Sequence, residues 1–60
     1  MTPEALRTAR RTLGLSQRAL AEALRMGAWG WQTVSEWERG VRPVPGPAQV
    51  AIEGLLERMK

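Results

Sequence analysis

Trp31-Gln32-Thr33-Val34-Ser35-Glu36-Trp37-Glu38-Arg39-Gly40 is the stretch on which the reading of this chain turns. Placed on a helix, its residues divide between two faces. Val34, Trp37 and Glu38 fall in one narrow arc at helical spacing, whereas Gln32, Ser35, Glu36 and Arg39 cover the opposite arc and carry almost no hydrocarbon. One face is suited to packing and the other to presentation. Gly40 follows the last helical residue, where a left-handed residue closes a helix, and Pro43 comes shortly after. A short helix with a hydrogen-bonding face, in a basic chain, suggests an element that reads the edges of DNA bases.

Composition narrows the choices around that stretch. With 60 residues the chain is expected to be one domain, and a chain of that size buries only about 60% of its unfolded surface. Any site is therefore expected at the surface or between subunits. The formal charge is +3 and the sequence pI about 11.2, which favours an anionic partner. The excess lies early: Arg7, Arg10, Arg11, Arg18 and Arg25 stand against only Glu4 and Glu22, while acids and bases balance from Met26 onward. His, Cys, Asp and Tyr are all absent. Thiolate and imidazole metal sites, disulfides and most nucleophile–base pairs are thereby excluded, so no enzyme chemistry, cofactor or metal is expected. No apolar run approaches the ~20 residues of a membrane span, and no signal-peptide core is visible, so the expected location is the cytoplasm, associated with the nucleoid.

Outward from the central stretch, the spacing predicts helices over about 3–13, 17–25, 31–39 and 47–59, with no strands. Thr2 can cap the first helix, Pro3 suits its first turn, Glu4 complements its dipole, and Gly14 terminates it. Leu6, Ala9 and Leu13 make its apolar stripe, from which Arg7 and Arg11 point away, whereas Arg10 lies between Leu6 and Leu13 on the inward face. Ser16 caps the second helix, where Leu20, Ala21 and Leu24 pack, and the small Ala21 permits close approach of another helix. The turn to the third helix runs over 26–31, bracketed by Gly27 and Gly30, and the segment 41–47 is a proline-stiffened connector. Pro47 starts the final helix, along which Ala48, Ala51, Ile52, Leu55, Leu56 and Met59 form a wide stripe, with Val50 outside it. Trp37 is a core residue by spacing. Trp29 and Trp31 are expected to fold over the long turn as a lid, the alternative being contact with a sugar-phosphate wall or a thymine methyl.

This order of parts resembles the Cro/phage-repressor-like helix-turn-helix family, also called the xenobiotic-response-element type. The residues that carry the resemblance are Leu13-Gly14-Leu15-Ser16-Gln17, then Leu20-Ala21 and Leu24, then Val34 to Gly40 with Pro43. It spans roughly Glu4 to Pro43. The turn after Arg25 is about three residues longer than is usual in the family. The segment after Pro43 reads as one long helix where the family often has two short ones. The fold expected is thus an all-α, small, lambda-repressor-like helix-turn-helix domain of four helices, or five if that last segment divides.

Arg10 and Glu38 are both directed inward, and an unpaired buried charge costs several kcal/mol, so the two are expected to meet as a structural ion pair. The family pairs residues at the matching positions; the alternative is that both side chains snorkel to water. By resemblance Ser16 and Gln17 contact phosphate, with Arg18 beside them. Arg39 and Arg42, at the exit of the third helix, are further phosphate candidates. Base reading is expected of Gln32, Ser35 and Glu36, with Thr33 or Trp31 at the edge, because glutamine can pair with adenine and glutamate can accept from cytosine N4. The bland alternative for each is a solvated helix face. Glu36 needs a cytosine, or Arg39, to satisfy its charge.

The expected function is sequence-specific binding of double-stranded DNA by a transcriptional regulator, a repressor of phage, mobile-element or toxin–antitoxin type. It is expected to act as a homodimer on a palindromic operator through Val50, Leu56 and Met59, with no membrane partner and no small-molecule effector. The rival from another class is a protein-interaction module that uses the same fold to dock a partner through its last helix.

Overall fold

The computed structural model describes residues 1–59. It is all-helical, with four helices and no strand among those residues: α1 Pro3–Leu13, α2 Gln17–Ala23, α3 Gly30–Glu38 and α4 Gly46–Arg58. The local chemistry of their ends explains most of these boundaries. Thr2 Oγ1 accepts from the Ala5 N–H at 3.0 Å, and Ser16 Oγ accepts from the Ala19 N–H at 3.0 Å, each satisfying a donor that the first turn leaves unpaired. Gly14 and Gly40 take left-handed φ values of 70° and 75° and close α1 and α3. Beyond them, Leu15 N–H reaches back to Arg10 O at 3.2 Å and Val41 N–H to Glu36 O at 2.9 Å.

α2 ends at Ala23, two residues before the predicted Arg25. The cause is the same type of helix ending formed without glycine: Arg25 itself is left-handed, at φ 56°, and Met26 N–H bonds Ala21 O at 3.0 Å. α3 starts at Gly30 and stops at Glu38, one residue earlier than expected at each end. α4 likewise runs one residue early at both ends, with Pro47 in its first turn but not at its first position, and it is continuous, so the five-helix alternative does not hold.

The core is Leu6 and Ala9 from α1, Leu20 and Ala21 from α2, Val34 and Trp37 from α3, and Ile52 from α4. α3 packs on both α2 and α1, and α4 packs on α1. Gly30 makes the α2–α3 approach possible. It is buried, and a Cβ there would collide with the Met26 Cβ and stand 3.1 Å from the Ala21 Cβ. Three apolar residues lie where the periodicity did not place them. Trp29 is 71% exposed and is no part of a lid. Ala51 and Met59 are exposed because α4 has α1 as its main neighbour, and one helix covers only part of a wide stripe. Val50 is exposed, as its position off the stripe requires. No helix among the described residues is long and apolar enough to cross a membrane.

Candidate nucleic-acid interface

A buried polar node sits under the site. Arg10 and Glu38 meet in a two-pronged contact, Nε to Oε2 at 2.6 Å and Nη2 to Oε1 at 3.1 Å. Their side chains are 17% and 5% exposed, so neither has snorkelled to water. Arg10 also donates through Nη1 to Leu15 O at 3.0 Å, which ties the α1–α2 turn to the pair. Gln17 Nε2 donates to Glu38 Oε1 at 3.3 Å, and Arg7 Nη2 donates to the Glu38 backbone oxygen at 3.3 Å. Arg7 was expected to point away from the core. Its long side chain instead reaches inward, and its buried Nε has no partner in the structure.

Burial works against the charge on Glu38, but hydrogen bonds from Arg10 and Gln17 and the positive charges of Arg10 and Arg7 outweigh it. The net result holds the carboxyl below the usual carboxylate range. The hydrogen bond to Glu38 pushes Arg10 further up, despite some desolvation. The node therefore stays ionised at neutral pH and fixes three elements together: α1 through Arg10 and Arg7, the start of α2 through Gln17, and the end of α3 through Glu38.

Above the node the polar face of α3 is unpacked. Trp31, Gln32, Ser35, Glu36 and Arg39 line one shallow depression. Arg10, Ser16, Gln17, Arg18 and Trp31 line the next. The structure thus brings the expected base-reading residues of α3 alongside the expected phosphate-binding residues of α2, with Trp31 shared by the two. Thr33 is half-buried and lines neither depression.

The hydrogen-bonding capacity left at these positions is specific. The Ser16 hydroxyl accepts in its cap and keeps its own proton to donate. Gln17 spends one amide N–H on Glu38 and keeps the other. Arg39 makes only a long 3.4 Å contact from Nε to Ser35 O. Glu36 is paired not with Arg39 but with Arg42, Nε to Oε1 at 3.6 Å. The 41–45 connector turns back past the end of α3, and helical spacing carries no information about that turn. Arg18 lies over the Trp31 ring, 5.9 Å from its centroid.

Elsewhere, α1 and α4 flank an open, largely apolar groove with Ala5, Thr8, Val50, Gly54, Leu56 and Met59 among its lining. Val50, Leu56 and Met59, the expected dimer residues, are therefore together in one groove, which shares no lining residue with the depression along α3. Arg7 and Gln17 are the node residues that spacing alone missed, and for Arg7 a signal was present. Its position three residues before Arg10 was the available signal, since two such residues are neighbours on a helix surface.

No family model, no curated protein and no solved structure matches this chain.

Proposed function

We propose that this chain is a sequence-specific DNA-binding regulator of the lambda-repressor-like helix-turn-helix class, acting in transcription as a repressor of the phage, mobile-element or toxin–antitoxin kind. The observation that carries the proposal is the unpacked polar face of α3, held against the start of α2 by the Ala21–Gly30 approach and the Arg10–Glu38–Gln17 node. A major groove admits one helix. Gln32, Ser35 and Glu36, with Thr33 at the margin, face its base edges. Ser16, Gln17, Arg18, Arg39 and Arg42 lie along its phosphate walls. Glu36 reads cytosine only after leaving Arg42, an inexpensive exchange because the contact is long and Arg42 is exposed.

One such helix reads a few base pairs, and each good bidentate contact discriminates by about 1–3 kcal/mol. Two copies on half-sites about one helical turn apart double that, and the groove carrying Val50, Leu56 and Met59 supplies the contact between them.

The experiment is a pair of substitutions read on a selected operator and a scrambled duplex over a range of salt. Gln32→Ala weakens operator binding by about 1–3 kcal/mol and leaves scrambled binding unchanged. Arg42→Ala weakens both alike and lowers the salt slope by about 1 per subunit. Circular dichroism first establishes that both variants fold. Wild-type affinities of Gln32→Ala on both duplexes defeat base reading through this residue. They favour the alternative, in which the exposed apolar face of α4 docks a protein.

A further inference from the structure

The Arg18–Trp31 contact is one that packing of Trp31 against the core does not by itself require. Arg18 is exposed on α2, and its guanidinium carbon lies over the ring of Trp31 in the first turn of α3. Glu22 is one helical turn further along α2 and is the usual partner for such an arginine. No ion pair joins them within 4.0 Å among the described residues, and no hydrogen bond is made by the Arg18 side chain there. The ring holds the cation and leaves its N–H edges uncommitted. A guanidinium over an aromatic face is oriented by the ring quadrupole and keeps five donors in its own plane.

Trp31 is itself placed firmly. It packs against the core cluster, and its neighbour Gly30 is pressed between Met26 and Ala21, which fixes the first turn of α3 relative to α2. The ring forms a wall common to the depression along α3 and the one shared by Arg10, Ser16, Gln17 and Arg18. A phosphodiester entering the second depression meets Arg10 and Arg18 and no acidic side chain in its lining, while Glu22 lies on the other side of Arg18, in the depression it lines with Trp31 and Arg25.

We propose that Arg18 is a preset phosphate clamp and that Trp31 is its positioning residue, not a reader of bases. The clamp rests on the DNA-binding reading for its natural ligand but not for its chemistry, which is recognition of a phosphate oxyanion. Without the ring, Arg18 becomes an ordinary mobile surface arginine that loses more rotamer freedom on binding. Trp31→Leu therefore acts like a partial loss of Arg18.

Two measurements test this, after circular dichroism shows each variant folded. In the first, inorganic phosphate is titrated against chloride at equal ionic strength while the Arg18 Nε–H resonance is followed. Phosphate shifts it in wild type and in Trp31→Phe, and the shift is weakened in Trp31→Leu. An unresponsive Arg18 in wild type overturns the clamp whatever the duplex results are. In the second, Trp31→Leu, Arg18→Ala and their combination are compared on operator and scrambled duplexes. Trp31→Leu weakens both duplexes alike by about two- to fivefold, the worth of an exposed cation–π contact, and adds nothing in the Arg18→Ala background. Trp31→Phe retains most of the affinity. Loss confined to the operator, or an undiminished Trp31→Leu effect without Arg18, overturns the positioning role while leaving DNA binding intact. A phosphate-responsive Arg18 in a protein that binds neither duplex keeps the clamp and removes the DNA reading.

Discussion

At the corner between α2 and α3, Gly30 stands so close to Met26 and Ala21 that no side chain fits, and a charged node ties the end of α3 to α1 and the start of α2. α4 is held on different terms. Its one fully buried side chain is Ile52, and Gly54, in mid-helix, has open space where a Cβ would stand. Ala48, Leu55 and Leu56 add half-buried contacts, while Ala51 and Met59 face outward. The corner is built to fix two helices in one geometry, as presentation of a polar face requires. α4 is a brace that closes the core and leaves apolar surface over. Substitutions should therefore act steeply at the corner and gently on the brace.

The steepest effect is expected at Gly30. Gly30→Ala places a methyl group where Met26 stands, and the obstacle is a Cβ fixed to the chain, not a flexible side-chain tip. α3 must move off α2, at a cost of about 3 kcal/mol, the upper end of what overpacking a core usually takes. Thermal unfolding measures it, and a melting temperature within a degree of wild type contradicts the close approach.

Next is the node. Glu38→Ala strands Arg10 against Leu15 O and is expected to destabilise by about 3 kcal/mol, while replacing Arg10 and Glu38 together by apolar residues of similar volume recovers much of the loss. The same pair sets an acid limit. The Glu38 carboxyl sits lower in the folded chain than in the unfolded one. Its contribution is therefore complete above the ordinary carboxylate pKa of about 4.3 and is lost as pH falls through the lowered folded value. Denaturant titrations across that acid window should show stability falling with pH, and the fall should be shallower in Glu38→Gln. An equal slope in both proteins assigns the acid sensitivity to other carboxylates.

How much of this contrast was visible in the sequence differs by residue. Caps and stops follow from side-chain chemistry within a few residues, so Thr2, Ser16, Gly14 and Gly40 are found where they were predicted. Arg10 and Glu38 were legible as a pair because each was hemmed by apolar neighbours, and a small core offers few partners. Arg7 was not, since Cα direction does not fix the end of a long side chain that finds a backbone carbonyl. Nor was the amide of Gln17, which is turned to Glu38. The exposure of Trp29 and the Glu36–Arg42 pair both depend on the path of an irregular segment, where periodicity gives no signal. Gly30 was read as the edge of a turn. Its role as a contact emerges only when Ala21 and Met26 are brought beside it.

Arg25 tests whether the corner resists every change or only added bulk. It is left-handed without being glycine, at φ 56°, a conformation that costs an L-residue roughly 1–2 kcal/mol. Arg25→Gly relieves that cost but enlarges the unfolded ensemble, so a net gain of about 1 kcal/mol is expected. A gain there, a few residues from the severe loss at Gly30, would confine the corner's intolerance to the contact itself. A loss would mean that the Arg25 side chain holds the turn.

The smallest effect is expected at Gly54, and it bears on the brace and on self-association together. Glycine inside a helix costs roughly 0.5–1 kcal/mol relative to alanine, and nothing lies within 4 Å of the position a Cβ would take. Gly54→Ala should therefore stabilise by about that amount, raising the melting temperature by a few degrees, since about 1 kcal/mol moves a domain of this size by roughly 4–8 °C. Gly54 also lines the α1–α4 groove with Val50, Leu56 and Met59. If two copies associate through that groove, the added methyl group meets the second copy and shifts the monomer–dimer balance seen by sedimentation, while binding to a single half-site is untouched. A lower melting temperature in the monomer would show that α4 is seated as tightly as the corner. A higher melting temperature with unchanged sedimentation would keep α4 as a brace and remove Gly54 from any contact between copies.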